Sequence, residues 1–244
     1  MMILLALRAL LFYIGYLLTI VWFGITGVLF FSFLPYAIRS RYVLLWNRLI
    51  IFWLRCTCGL KVMVDGAENL PSTPYVALSK HQSSWETFFL QSFLAPISTV
   101  LKQELLRLPF FGWGLRLTDP IAIDRGSPKK ALKQLREQGK RLLAKNISVL
   151  VFPEGTRRQT GPETKYARGG ASLAVASGAP AVPIAHNSGE YWPSGGFIKY
   201  PGTITIKIGK PISSTENDSR QITEQAKAWI ESEVKKMTRR TQPV

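Results

Sequence analysis

The amino-terminal part of the chain contains a long uncharged segment, which limits the possible folds more than any other feature of the sequence. No charged residue lies between Arg8 and Arg39. A helix over this run is long enough to cross a hydrocarbon layer of about 30 Å. The run continues through Trp22, Phe30 and Phe31 without an Ala-x-Ala-like cleavage site, which distinguishes it from a secretory signal. The segment is therefore predicted to be a retained membrane anchor.

A second apolar stretch extends from Tyr42 to Cys58, but three polar residues interrupt it. This composition favours a helix that lies in the membrane interface or packs back against the first helix. Pro35 is predicted to mark the bend between the two helices. We expect residues 1–58 to form a helical membrane anchor. Residues 59–244 then form one compact domain, since single cores stop growing only near about 250 to 300 residues.

The charge of the chain predicts anionic partners. Lys and Arg outnumber Asp and Glu by 31 to 15, which gives a formal net charge of +16. Such a charge attracts either anionic membrane lipids or nucleic acid. Hydrophobic residues make up 47% of the chain, including 7 Trp and 13 Phe, and this apolar content favours the membrane surface. The basic residues are spread along the chain without a nucleic-acid-binding module, so we expect lipid partners and no nucleic acid.

The distribution of arginines predicts the orientation of the anchor. Four arginines follow the first apolar segment before residue 59, whereas one precedes it. By the positive-inside rule, we expect the rest of the chain to lie in the cytoplasm. The two cysteines, Cys56 and Cys58, are too few and too close to indicate a disulfide framework or a zinc site. This also agrees with a domain that faces the cytosol.

Beyond Gly59, short apolar runs alternate with amphipathic stretches, which predicts an α/β domain with a largely buried sheet. The most regular helix is predicted to begin at Ser127 and Pro128 as N-cap and first helical residue. A last amphipathic helix is predicted over residues 219–240. The predicted strands are Lys61–Val64, Tyr75–Ser79, Ile97–Leu101, Ile121–Ile123, Ser148–Phe152, Ala181–Ala185 and Thr203–Ile208.

One of the two histidines, His81, directly follows the predicted strand that ends at Ser79. Strand ends are where α/β folds place their chemistry. A neutral imidazole can accept a proton from an attacking hydroxyl, and a carboxylate on its other nitrogen would orient it. Glu86 is the candidate carboxylate. The alternative is structural, because Ser83 followed three positions later by Glu86 is also the pattern of a helix capping box.

A second candidate site also follows an apolar strand. The sequence from Phe152 to Arg158 reads Phe-Pro-Glu-Gly-Thr-Arg-Arg, and a basic, glycine-containing segment from Lys165 to Gly170 comes soon after it. Guanidinium groups and a glycine-rich helix start are typical of phosphate-binding sites. A turn with solvated charges is the alternative. Arg125 stands at a third basic strand end, where Asp124 and Arg125 could instead form a surface ion pair.

In combination, these segments resemble the 1-acyl-glycerol-3-phosphate acyltransferases of bacterial phospholipid synthesis. The resemblance covers about residues 60–210. Glu86 is a departure, since the family has an aspartate at this position. The matching segments, in order, are His81 to Glu86, Lys102 to Trp113, Ile123-Asp124-Arg125, Phe152 to Arg157 and the Val182-Pro183 pair.

The resemblance implies a mixed, largely parallel sheet flanked by helices. It also implies that His81 is the general base on an acceptor hydroxyl and that Glu86 orients it. The glycerophosphate would be held by Arg125, Glu154, Gly155, Thr156 and Arg157, with Lys102 as an additional ligand. The implied substrates are an acyl-CoA or acyl-carrier protein donor and a lysophosphatidic acid acceptor, without a metal or a cofactor.

Other functions remain open on the sequence alone. The same site could acylate glycerol 3-phosphate, another lysophospholipid or an aminoacyl lipid. A non-catalytic basic protein could bind anionic membranes through its charge and its anchor, but this leaves the ordered segments unexplained. A serine hydrolase is disfavoured because neither Ser83 nor Ser84 lies in a Gly-x-Ser-x-Gly elbow.

Overall fold

The computed structural model describes residues 1–158 and 165–238. The strands are β1 (Leu60–Asp65), β2 (Val76–Ser79), β3 (Ile97–Lys102), β4 (Ile121–Ile123), β5 (Ser148–Val151), β6 (Ala181–His186) and β7 (Gly202–Ile208). The helices are α1 (Met2–Thr26), α2 (Tyr36–Cys58), α3 (Trp85–Phe93), α4 (Phe111–Arg116), α5 (Pro128–Leu143), α6 (Gly169–Ser177), α7 (Ser188–Tyr191) and α8 (Ser219–Met237). All seven predicted strands are present, each with bounds within one residue of the prediction.

Within the described residues the strands form one sheet in the order β1-β7-β6-β2-β5-β3-β4. The five strands from β6 to β4 are mutually parallel, whereas β7 is antiparallel to β6 and pairs in parallel with β1. The predicted mixed, largely parallel sheet is therefore confirmed. Because β2, β3, β4 and β5 are parallel, the segments that follow them emerge at the same edge of the sheet.

Both faces of the sheet are covered by helices. Side chains on a strand alternate between faces, and in β2 Ala77 belongs to a different core cluster from Val76 and Leu78. The cluster that contains Ala77 includes side chains of α2 and α3. The opposite cluster includes side chains of α5, α6 and α8. This two-sided burial explains why several strands are continuous apolar runs rather than alternating ones.

The first two helices form an antiparallel hairpin. Arg8 Nε donates to the Thr57 carbonyl at 2.6 Å, and Trp53 Nε1 donates to the Phe12 carbonyl at 3.3 Å. The start of α1 therefore lies beside the end of α2. The bend between the helices is at Pro35, as predicted, and α2 begins at the next residue.

The outer surface of the hairpin is apolar. Large hydrophobic side chains along α1, such as Leu7, Leu18 and Trp22, are more than half exposed. Among the described residues, the helix over residues 2–31 is long and apolar enough to cross a membrane. Only 17% of the residues in its most apolar stretch are buried. An exposed apolar surface of this length is typical of a protein that associates with a membrane.

Helix α2 also belongs to the domain core. Trp46, Ile50 and Leu54 are buried against the face of the sheet that carries α3. Asn47, one of the polar residues that interrupt the apolar pattern, is buried and donates to Gln91 Oε1 at 2.8 Å. The structure therefore shows α2 packed against the first helix, which is one of the two predicted placements, and α2 joins α1 to the sheet.

The predicted carboxyl-terminal helix is present as α8. Its N-cap is Asp218, whose carboxylate accepts the amide hydrogens of Arg220 and Gln221 in a capping box. Ile222, Ala226 and Ile230 are fully buried, which confirms the predicted apolar face. Residues 239 and 240 of the predicted helix lie outside the described residues.

Candidate active site

A cavity of about 650 Å³ lies at the edge of the sheet where the parallel strands end. Its lining includes five of the residues predicted to form the site: His81, Lys102, Arg125, Gly155 and Arg157. These residues follow or end β2, β3, β4 and β5, so the parallel arrangement of the strands brings them together. The side chains of Glu86 and Glu154 lie behind this surface, where both are buried.

His81 and Glu86 form a direct pair. His81 Nδ1 lies 2.8 Å from Glu86 Oε1, and the histidine side chain is 14% exposed while the glutamate side chain is fully buried. The helix that contains Glu86 begins at Trp85, so His81 lies in the preceding loop. The longer glutamate side chain thus reaches the imidazole from the first turn of α3.

The environment of Glu86 determines the tautomer of His81. The carboxylate accepts hydrogen bonds from the backbone amides of Gln82 and Ser83 and from the hydroxyls of Ser83 and Ser188, at 2.9 to 3.1 Å. Every partner is a donor, as an ionised carboxylate requires. His81 Nδ1 therefore donates to Glu86, and Nε2 is the basic nitrogen of the neutral ring.

The charge state of Glu86 follows from this network. Burial raises the pKa of the carboxyl group, but the hydrogen bond from His81 and the electrostatic interactions with both histidines outweigh that effect, with a further contribution from the Ser83 amide. The net result lowers the pKa of Glu86 to about 2. Glu86 is consequently ionised at neutral pH and can stabilise a protonated imidazole beside it.

Part of the alternative capping-box geometry is also present. The Glu86 side chain accepts the Ser83 amide hydrogen, while the Ser83 hydroxyl accepts the Trp85 amide hydrogen at 2.9 Å. The same carboxylate oxygen that accepts from Ser83 also contacts His81. Helix capping and histidine orientation are therefore two contacts of one side chain rather than competing interpretations.

Two hydrogen bonds and a ring contact hold the loop after β5 against His81. The Arg158 amide donates to the His81 carbonyl at 2.8 Å, and the His81 amide donates to Glu154 Oε1 at 2.9 Å. The Phe152 ring stacks on the imidazole with centroids 4.2 Å apart. Gly155 has φ of +69°, a backbone conformation that favours glycine. The loop that carries Arg157 is thus held at a fixed position relative to the histidine.

A buried ion-pair network lies beneath this loop. Lys80 is fully buried, and its ammonium contacts Glu154 Oε2 at 3.0 Å and Glu231 Oε1 at 2.9 Å. The Tyr166 hydroxyl donates to the same Glu231 oxygen at 2.9 Å. Burial raises the pKa of Glu154, although the charge of Lys80 opposes this shift. Through Glu231, the carboxyl-terminal helix α8 supports the loop that lines the cavity.

The predicted phosphate ligands differ in their placement. Arg125 and Arg157 are exposed side chains in the lining of the cavity, and Lys102 also lines it while pairing with Glu104 at 3.2 Å. Thr156 is exposed in the same loop. Both carboxylate oxygens of Glu154 instead face donors of the protein itself, the Lys80 ammonium and the His81 amide. Asp124 accepts the Gly126 amide at 2.8 Å.

Two site residues were not identified from the sequence. Ser188 donates its hydroxyl to Glu86, and it follows β6, which is parallel to β2 and ends at the same edge. His186 is fully buried, its Nε2 donates to the Lys80 carbonyl at 2.8 Å, and burial lowers its pKa. The sequence does contain a signal for both residues, because they lie at or just after the end of the predicted strand Ala181–Ala185, and strand ends are where α/β folds place their chemistry.

The remaining walls of the cavity are largely apolar. Helices α2 and α3 contribute Val43, Trp46 and Phe88, and α4 contributes Phe111. On the opposite side, α5 contributes Ala131, Leu132 and Leu135. Such walls can accommodate a hydrocarbon chain next to the polar groups around His81. Among residues 1–158 and 165–238, no group of three or more His, Cys, Asp or Glu side chains is placed to hold a metal ion.

Comparisons with known proteins show the family to which the chain belongs. The family model described as acyltransferase matches residues 61–187. A 1-acyl-sn-glycerol-3-phosphate acyltransferase of Pseudomonas aeruginosa is 48% identical over 229 residues, which cover 92% of this chain and 89% of that protein. A protein of the same description from Limnanthes douglasii is 32% identical over 206 residues, covering 82% of this chain and 71% of that protein.

The fold is also found in a solved structure. The crystal structure of the 1-acyl-sn-glycerophosphate acyltransferase from Thermotoga maritima matches with a TM-score of 0.76 at 22% identity, and the match covers 97% of each chain. Because the family model matches more than half of the chain and the Pseudomonas aeruginosa relative is 48% identical over most of it, the chain is an enzyme that belongs to the family of 1-acyl-sn-glycerol-3-phosphate acyltransferases.

Proposed function

We propose that the enzyme transfers a fatty acyl group from acyl-CoA or acyl-carrier protein to the sn-2 hydroxyl of 1-acyl-glycerol 3-phosphate, which yields phosphatidic acid. The observation that carries this proposal is the composition of one cavity. It combines a histidine oriented by a carboxylate, two exposed arginines and long apolar walls. These features match a hydroxyl to be deprotonated, a phosphate monoester and an acyl chain.

In the proposed mechanism, His81 Nε2 removes the proton from the acceptor hydroxyl as its oxygen attacks the thioester carbonyl carbon. Glu86 stabilises the resulting imidazolium through Nδ1. When the tetrahedral intermediate collapses, the carbon–sulfur bond breaks and His81 returns the proton to the leaving thiolate. The products are the new ester and a free thiol, and His81 is again neutral.

The phosphate of the acceptor is proposed to lie between Arg125 and Arg157, with Gly155, Thr156 and Lys102 nearby. Arginine suits this role because its planar fork can donate two hydrogen bonds to one phosphate. Glu154 is proposed to contribute indirectly. Its carboxylate is occupied by Lys80 and by the His81 amide, so it positions the loop and does not contact the phosphate.

The proposed reaction can be tested with the purified enzyme in detergent micelles. Radiolabelled acyl-CoA and acyl-carrier protein are each offered with lysophosphatidate and, in parallel, with glycerol 3-phosphate. We expect labelled phosphatidic acid from lysophosphatidate. Transfer to glycerol 3-phosphate in preference to lysophosphatidate would overturn the proposed acceptor. Labelling of another lysophospholipid at a higher rate would also overturn it.

Replacement of Arg157 by Lys tests the phosphate site. The substitution keeps the charge but removes the bidentate fork, so the KM for lysophosphatidate should rise by roughly 10 to 150-fold, as for the loss of a hydrogen bond to a charged group. The KM for the acyl donor should change little. Steady-state kinetics with each substrate varied in turn would measure both constants.

The neighbouring Arg158 provides a matched control. Arg158 is exposed in the same loop but is not among the residues that line the cavity. Arg158→Lys should therefore leave both constants close to those of the unmodified enzyme. If Arg157→Lys raised the KM of the donor instead, the loop would bind the phosphates of the donor, and the acceptor site would have to be reassigned.

We further propose that residues 1–58 anchor the acyltransferase domain, residues 59–244, at the cytoplasmic face of the inner membrane. The antiparallel hairpin returns the chain to the side on which it began, with Arg8 and Arg55 at that end and Arg39 and Arg41 near the bend. The arginines are thus divided between the two ends, and the orientation is proposed from the net positive charge of the chain, which the anionic cytoplasmic leaflet attracts. The orientation can be tested with Lys140→Cys in a Cys56→Ser background, using a membrane-impermeant maleimide on spheroplasts. We expect labelling only after permeabilisation, and labelling of intact spheroplasts would contradict the orientation.

A further inference from the structure

Helix α5 carries a straight basic stripe that the site described above does not explain. The helix contains six basic residues and one acidic residue. Lys129, Lys133, Arg136 and Lys140 are exposed and follow one another at spacings of four, three and four residues. At 3.6 residues per turn these side chains project in nearly the same direction, along about 16 Å of helix. We define these four residues as the α5 stripe.

The acidic residue of the helix compensates little of this charge. Glu137 lies 3.9 Å from the Lys133 ammonium, and both side chains are more than half exposed. An exposed pair of this kind contributes little energy and is screened by salt. The α5 stripe therefore remains a positively charged surface.

The position of the stripe in the fold argues against membrane lipid as its partner. Helix α5 packs on the face of the sheet opposite to α2 and α3, and α2 in turn carries α1 with its exposed apolar surface. The stripe thus belongs to the side of the domain remote from the anchor. On this side we expect a partner from the aqueous phase.

The stripe is also connected to the cavity. Arg136 lines the cavity, and its Nε donates to the Ser172 hydroxyl at 2.8 Å. Ala131, Leu132 and Leu135 of the same helix form part of the cavity wall. A molecule held on the α5 stripe would therefore lie beside the cavity wall that α5 forms. This wall is opposite to the one formed by α2, which carries the membrane anchor.

We propose that the α5 stripe docks an acidic carrier protein that presents the acyl chain as a thioester on its flexible prosthetic arm. This inference rests on the proposed function, which requires a thioester donor. Four cations aligned over three helical turns complement an elongated acidic surface, such as an acidic helix of a carrier protein. The compact nucleotide phosphates of acyl-CoA would engage at most the cations closest to the cavity.

The test is a charge-reversal variant, Lys129→Glu/Lys133→Glu/Lys140→Glu, which leaves Arg136 unchanged because that side chain lines the cavity. Three attractive contacts become repulsive, so the KM for acyl-carrier protein should rise at least roughly tenfold, and its dependence on ionic strength should weaken. With the same acyl chain on CoA, the KM for the donor and the KM for lysophosphatidate should stay within about twofold.

The matched control is Lys61→Glu/Lys210→Glu/Lys235→Glu, three exposed lysines on β1, after β7 and on α8. It changes the net charge equally but leaves the α5 stripe intact, and we expect little effect on the KM of either donor.

The proposal is overturned if the two triple variants behave alike, if both donors lose affinity equally, or if the unmodified enzyme does not use acyl-carrier protein. Weaker binding of the α5 variant to anionic vesicles, with unchanged carrier-protein kinetics, would assign the stripe to lipid. Failure of the proposed function is separate, since the unmodified enzyme would then acylate lysophosphatidate with neither donor.

Discussion

Replacing His81 by Ala should reduce the turnover number by roughly 10² to 10⁴-fold, the usual contribution of a general base. The reason is geometric, because Nδ1 is held by Glu86 and Nε2 is left as the base at the cavity surface. The base acts when the hydroxyl loses its proton, so binding of lysophosphatidate should be largely retained. Single-turnover rates and calorimetric binding of the acceptor would separate the two effects.

His81→Gln serves as a companion variant. Glutamine retains polar atoms in the same region but cannot accept the proton of the hydroxyl at neutral pH, so it should be as inactive as alanine. Turnover within a few-fold of the unmodified enzyme in either variant would remove His81 from the mechanism. Loss of acceptor binding together with turnover would indicate instead that the loop after β5 had moved with the histidine.

The sheet could be predicted from the sequence because its physical cause is local. A strand covered on both faces is a short apolar run, and Ser148–Val151 is buried at every position. Parallel strands then place their following segments at one edge, which brought His81, Arg125 and Arg157 into one cavity. The histidine–glutamate pair could be predicted because its members are only five positions apart.

Interactions between distant residues could not be predicted in this way. Lys80 and Glu231 are 151 positions apart, and nothing in the sequence near either residue indicates that they meet. The prediction that Glu154 binds phosphate depends on its neighbours in the loop. In the structure its buried carboxylate instead forms an ion pair with Lys80, which follows a different strand. Similarly, the sequence shows Asn47 only as a polar interruption of an apolar helix, whereas in the structure its side chain donates a buried hydrogen bond to Gln91.

Replacing Glu86 by Gln should have the second large effect, and it distinguishes orientation of the histidine from capping of the helix. Glutamine has nearly the same size, but it cannot hold an imidazolium by charge. If the carboxylate orients His81, the turnover number should fall by roughly 10² to 10⁴-fold. If it only caps α3, the melting temperature should fall while the rate per folded enzyme is nearly unchanged.

Two further variants make this comparison sharper. Ser188→Ala removes one donor to Glu86 Oε2 but leaves the contact with His81, so it should cost stability with a much smaller loss of rate than Glu86→Gln. Glu86→Asp keeps the charge on a shorter side chain, and it should retain more activity than Glu86→Gln. An equal loss of rate in the Ser188→Ala and Glu86→Gln variants would contradict a specific role for the imidazole contact.

The pH dependence of stability gives an independent test of the charge on Glu86. Its pKa is lowered from 4.5 to about 2 in the folded protein, so the folded state favours the ionised form. The stabilisation is complete above about pH 4.5 and is lost as the pH falls towards 2, with a size of about 3 kcal/mol for a fully buried group. The difference in unfolding free energy between the unmodified enzyme and the Glu86→Gln variant, which does not titrate, should therefore narrow from pH 5 to pH 3. A constant difference over this range would mean that Glu86 is not held as an ionised partner of His81.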